Sequence, residues 1–123
     1  MPYCCLTRRL VLLGALTLML QPRLAAAHAI LETSEPANGA HVPAGALTLR
    51  LRYNSRIDRA RSGLTLTRPD QSKITLRIDP EGPPDLLTST VTLTPGAYVV
   101  RWQVLAIDGH ITRGDVAFTV TGP

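Results

Sequence analysis

Apolar residues in this chain first run together and then alternate. Leu10 to Leu20 is almost continuously apolar, whereas Leu47, Leu49, Leu51 and Tyr53 are separated by Thr48, Arg50 and Arg52. That second pattern has period two, as in a strand with one face in a core and the other in water. Similar short stretches follow the leader, each bounded by turn formers. Ala29–Thr33 reads as a first strand, ended by Ser34-Glu35-Pro36-Ala37-Asn38-Gly39, and Pro43-Ala44-Gly45 is a further break. After Leu47–Tyr53, the polar stretch from Asn54 to Ser62 reads as a loop with room for a helical turn. Leu64 and Leu66 belong to a third strand, and Arg68-Pro69-Asp70 turns it toward Ile74, Leu76 and Ile78. The proline-rich stretch from Asp79 to Asp85 is a loop, then strands follow at Leu87–Leu93, Ala97–Ala106 and Ala117–Thr121. About seven short strands without a helical period predict an all-β fold, a small antiparallel β-sandwich.

Tyr98, Val100, Trp102 and Val104 alternate along one strand, which assigns Trp102 to the core rather than to stacking on a ligand. Arg50, Arg52 and Arg101 fall on the opposite faces and read as solvated. With one tryptophan and one phenylalanine there is no aromatic platform for bases.

The apolar run changes the composition that matters. Arg8 and Arg9 precede it, and Gln21-Pro22 and Ala25-Ala26-Ala27 follow it, the three-part form of a cleaved secretory signal over residues 1–27. The run is shorter than the roughly 20 residues that cross a bilayer, which argues against the alternative of an anchor. One domain, residues 28–123, is then expected to be exported as a monomer with no membrane span. Cys4, Cys5, Met1 and Met19 all lie in the leader, so the mature domain has neither thiolate nor thioether for soft-metal chemistry. Arg8, Arg9 and Arg23 also leave, which brings the 13 basic residues to ten against nine acidic ones. The near-neutral balance removes the argument for nucleic acid.

Cleavage after Ala27 makes His28 the first residue, and its α-amine and ring Nδ1 then close a chelate on one metal ion. Asp108-Gly109-His110 offers a carboxylate and a second imidazole, two residues apart and on one side if the segment is extended. Asp-Gly is also an ordinary hairpin turn, and a histidine beside a turn is usually solvated. The combination of His28, Asp108 and His110 supplies three nitrogens and one oxygen, which suits Cu(II) in a tetragonal plane. Zinc takes the same donors tetrahedrally and is the main rival, while calcium and magnesium need more oxygen.

The mature start His28-Ala29-Ile30-Leu31 followed by Ser34-Glu35-Pro36-Ala37-Asn38-Gly39 resembles the opening of the CopC periplasmic copper-binding proteins. The resemblance continues through Pro95-Gly96-Ala97-Tyr98-Val99-Val100-Arg101-Trp102, Asp108-Gly109-His110 and the closing Gly114–Val120 stretch, so it covers essentially the whole mature chain. It implies a Greek-key sandwich or barrel of immunoglobulin-like or cupredoxin-like form. It further implies a Cu(II) site of His28, Asp108 and His110, a role in copper resistance or uptake, and a CopD-like permease as associate. Two departures stand out. Some members carry a methionine-rich Cu(I) site, for which the mature chain has no methionine, so it resembles the Cu(II)-only class. Many have an acidic residue where this chain reads Asn54-Ser55-Arg56; its loss would loosen a supported histidine unless Asp58 substitutes. His41 reads as an exposed loop histidine, or an accessory ligand if its loop folds over the metal.

The sequence therefore predicts a non-enzymatic copper carrier. Two other readings remain: a histidine-brace copper oxidase, against which Asp108 in a coordination position and the short chain count, and a metal-free structural sandwich.

Overall fold

A computed structural model describes residues 28–122; the expected signal segment 1–27 lies outside the described residues. Eight strands form two facing sheets, with no helix among the described residues. They are β1 (Leu31–Glu35), β2 (Ala40–Pro43), β3 (Gly45–Tyr53), β4 (Ile57–Thr67), β5 (Lys73–Leu76), β6 (Leu86–Leu93), β7 (Gly96–Ala106) and β8 (Ile111–Thr121). The smaller sheet has the order β1-β3-β6 and the larger β2-β8-β7-β4-β5.

The period-two strands put their apolar sides between the sheets. Leu49, Leu51 and Tyr53 of β3 face Val100, Trp102 and Val104 of β7, with Leu64, Leu66 and Phe118 completing the same core. Trp102 is buried and meets Tyr53 edge-on at 5.4 Å between ring centres. Burial pushes the Tyr53 phenol well above its usual pKa, because the charged form would lose its water. A Cβ on Gly114 would come within 2.5 Å of the Trp102 ring, so the strand opposite the indole must carry a glycine there.

The architecture matches the expected sandwich with three differences. Ala40–Pro43, read as a connection, is a strand, and its pairing with β8 is parallel. Ser34-Glu35-Pro36-Ala37-Asn38-Gly39 is the reason: it carries the chain from the smaller sheet to the larger midway. Gly39, at φ +83°, donates its N–H to Ala117 O at 2.6 Å, and Asn38 Oδ1 accepts from Ala117 N at 2.9 Å. The chain then runs on beside β8 in the direction it already had.

The polar stretch assigned to a loop is largely the start of β4. Its ladder with β7 breaks between Asp58 and Gly63, where polar groups replace the lost pairing. Ser62 Oγ donates to Asp58 O at 2.7 Å and accepts from Leu105 N at 3.2 Å. A bulge bends the strand and leaves arginines outside, so the apolar alternation that would have marked it is absent. Finally, β8 begins at Ile111, six residues before the expected start at Ala117.

Candidate metal centre

At one end of the sandwich the beginning of the described chain meets the β7–β8 turn. Ala29 is fully buried, and this holds His28 at the mouth of the core. Three hydrogen bonds fix that segment. Thr112 Oγ1 donates to Ala29 O at 2.7 Å, Ile30 N donates to Asn54 Oδ1 at 2.8 Å, and Asn54 N donates to Ile30 O at 3.0 Å. The Ala29–Ile30 segment is thus tied to β8 through Thr112 and to the β3–β4 connection through Asn54, and His28 stands just outside it, exposed.

The facing turn is a three-residue hairpin loop with a bulge. Gly109 N donates to Ala106 O at 2.9 Å, and Ala106 N donates to His110 O at 2.8 Å. Gly109 has φ +90°, which a side chain would strain. Asp108 and His110 therefore share a side because the turn folds them together, not because the segment is extended. Asp108 Oδ1 accepts from the His110 backbone N–H at 3.1 Å, and Oδ2 lies 2.7 Å from His110 Nδ1. The His110 backbone N–H, followed by its ring and the nearby His28, holds the Asp108 carboxyl below the usual carboxylate range.

Across this turn the His28 ring meets the His110 ring edge-on, 4.5 Å between centres and 81° between planes. One donor atom from each of His28, Asp108 and His110 lies within 4.8 Å of the others, and all three residues are exposed. The three residues singled out from sequence are thereby brought together. A cation with bonds near 2.0 Å at right angles to one another seats adjacent donors about 2.8 Å apart. The Asp108 Oδ2–His110 Nδ1 separation of 2.7 Å is close to that value.

Asp58 does not join the cluster. Its carboxylate caps Arg61 N at 3.3 Å and pairs with the Arg61 guanidinium at 3.7 Å. Asn54 keeps an acceptor oxygen where an acidic residue was expected, and spends it on Ile30 N rather than on an imidazole. His41 pairs with Thr119 near the far end of β8, about 26 Å along that strand from Ile111 at the usual rise. That position removes it as an accessory ligand. Thr112, which anchors His28 through Ala29 O, carries no signal that sequence reasoning could have used.

A CopC domain model matches residues 31–121. Protein YobA of Escherichia coli (strain K12) is 33% identical over 98 residues, covering 76% of this chain and 79% of YobA. Among solved structures, CopC from Methylosinus trichosporium OB3b is similar with a TM-score of 0.69 and 28% identity, covering 77% of this chain and 95% of that one. PcoC, a methionine-rich copper resistance protein from Escherichia coli, is similar with a TM-score of 0.66 and 25% identity, covering 76% and 99%.

Proposed function

We propose, for a chain that belongs to the CopC family, that it binds one Cu(II) ion at an exported amino terminus and buffers or delivers it in the periplasm. The family is one of copper-binding proteins and not of enzymes, so the oxidase alternative loses its ground. The observation that carries the reading is the approach of His28, Asp108 and His110 donors to within 4.8 Å of one another.

Cleavage after Ala27 would free the His28 α-amine beside its own ring Nδ1. With Asp108 and His110 this makes three nitrogens and one oxygen, a set that favours Cu(II). Residues 28–123 contain no cysteine or methionine, so a Cu(I) site of sulfur ligands has nothing to be built from. Asp108, kept anionic by the His110 N–H, would offset part of the cation's charge. Exposure of all three groups suits a cargo, because an incoming ligand can replace them one at a time, whereas a structural metal is enclosed. A CopD-like permease is the receiver this reading favours.

The test is a Cu(II) titration of the exported protein, followed by EPR. One equivalent with a nitrogen-rich tetragonal spectrum is expected, and His28→Ala or His110→Ala should abolish it while leaving the melting curve in place. An oxygen-only spectrum, or wild-type binding by both variants, would sink the assignment. Zinc competing on equal terms would favour the tetrahedral rival.

A further inference from the structure

We infer that the face around the cluster is a docking surface for an acidic protein that takes the metal: an apolar collar of Ile30, Ile107 and Ile111 makes the contact, and Arg56 and Arg61 select carboxylates on the partner. This rests on the copper-carrying reading above.

Ile30, Ile107 and Ile111 are 53%, 72% and 51% exposed, and they are the large hydrophobic residues that stand exposed among the described residues. Each lies within two positions of a candidate ligand: Ile30 after His28, Ile107 before Asp108, Ile111 after His110. Elsewhere the fold buries most of its leucines, valines and aromatics, wholly or in part, between the sheets. The turn itself gives no reason for an isoleucine at position 107, where proline or a polar residue is usual. Ile30 flanks the cluster on the side of Asn54, while Ile111 stands opposite Leu105 in the β7–β8 ladder. Ile107 and Leu105 also line a shallow cavity of about 370 Å³ with Asp58, Arg61 and Gly109. Apolar surface gathered around one exposed polar cluster marks a contact site.

The charges choose the partner. Arg56 is exposed, has no ion pair among the described residues, and accepts the Ile107 N–H through its carbonyl at 3.3 Å. The Arg61 side chain is 76% exposed, and its contact with Asp58 is a loose 3.7 Å. A bound Cu(II) would add two positive charges to the same face, against the two carboxylates of Asp58 and Asp108, which leaves the balance positive. Two copies placed face to face would bring these like charges together, which disfavours self-association. A lipid surface offers no ligand to displace imidazole from the metal. A protein with an apolar patch rimmed by carboxylates satisfies both requirements.

The test uses three synthetic acceptor peptides, each with two histidines and the same apolar residues, differing only in flanking glutamates, glutamines or lysines. Full-length mature protein carrying one Cu(II) is mixed with an excess of each, and release is followed by recovery of Trp102 fluorescence, the chain's one tryptophan. The glutamate peptide should accept copper about ten-fold faster than the lysine peptide at low ionic strength, with the difference collapsing in about 0.5 M salt. Arg56→Glu with Arg61→Glu should reverse that order. Ile107→Ser with Ile111→Ser should slow all three peptides alike while direct titration gives unchanged copper affinity. Equal rates for the three peptides overturn the docking surface, as does transfer that ignores the serine variant. Binding to phosphatidylglycerol vesicles, or dimerisation, that depends on Ile107 and Ile111 without a peptide preference overturns it in favour of a membrane or a second copy. If the wild type binds no Cu(II), it is the carrier reading itself that fails.

Discussion

Gly96 and Gly109 lie at opposite ends of β7, both at positive φ, +149° and +90°. A Cβ on Gly96 would overlap the Pro69 ring, whereas one on Gly109 would meet nothing within 4 Å. The Gly96 end is closed by packing: Pro69 covers the turn, and the Tyr98 hydroxyl, in a tyrosine-corner arrangement, donates to Thr94 O at 2.8 Å. At the Gly109 end, buried Ala29 packs into the core, and the turn beyond it is held by hydrogen bonds around an exposed cluster. The tightly packed turn and the proposed cargo site thus occupy separate ends of one sandwich. Changes at one should leave the other largely untouched.

The largest effect is expected at the closed end. Gly96→Ala should cost about 3 kcal/mol, from overpacking against Pro69 together with backbone strain. It should show as a clear drop in melting temperature with copper affinity unchanged. If affinity falls in parallel, the two ends are not independent.

Acidification should act on the open end. A free α-amine and an imidazole ordinarily titrate near about 8 and 6.5. Protons therefore compete with copper as pH falls, and affinity should drop about a hundred-fold or more between pH 7 and pH 5. Asp108 does not set this loss. Its pKa is lowered, so its charge and its small share of stability are present above the ordinary carboxylate range and fade only as pH falls through that lowered value. Flat affinity from pH 5 to 8 would exclude an amine ligand.

Asp108→Asn should weaken Cu(II) about ten-fold, equivalent to about 1.4 kcal/mol, with a melting temperature near that of the wild type. The residue is exposed and its bonds lie within one turn, so a large thermal loss would mean that the turn supports the fold. Smallest of all, Asn54→Ala removes the acceptor for Ile30 N and should cost a few-fold in copper affinity and about 1 kcal/mol in stability. Asn54→Asp keeps the acceptor and should recover the affinity, read by the same titration.

The two ends also differ in how far the sequence revealed them. Strands such as Leu47–Tyr53 and Ala97–Ala106 were legible because apolar side chains alternate toward a core. His28, Asp108 and His110 were legible because their chemistry is unusual together and resembles a known family. β2 and the first half of β4 were not: the first is held by the Asn38 and Gly39 bonds to Ala117, the second by a bulge filled with Ser62 and Asp58. Neither leaves an alternating trace. The same applies to the clamp on His28, since Thr112 lies 83 residues from its acceptor on Ala29 and looks like any strand threonine.

The central claim is that a free His28 amine completes a copper site with Asp108 and His110. Its most direct test compares exported protein, with its first residue fixed by intact mass and N-terminal sequencing, against a version carrying one extra residue before His28. The account predicts that the native chain begins at His28, binds one Cu(II) with a nitrogen-rich EPR spectrum, and that the extended chain binds far more weakly. Equal binding by both, or by neither, would contradict it.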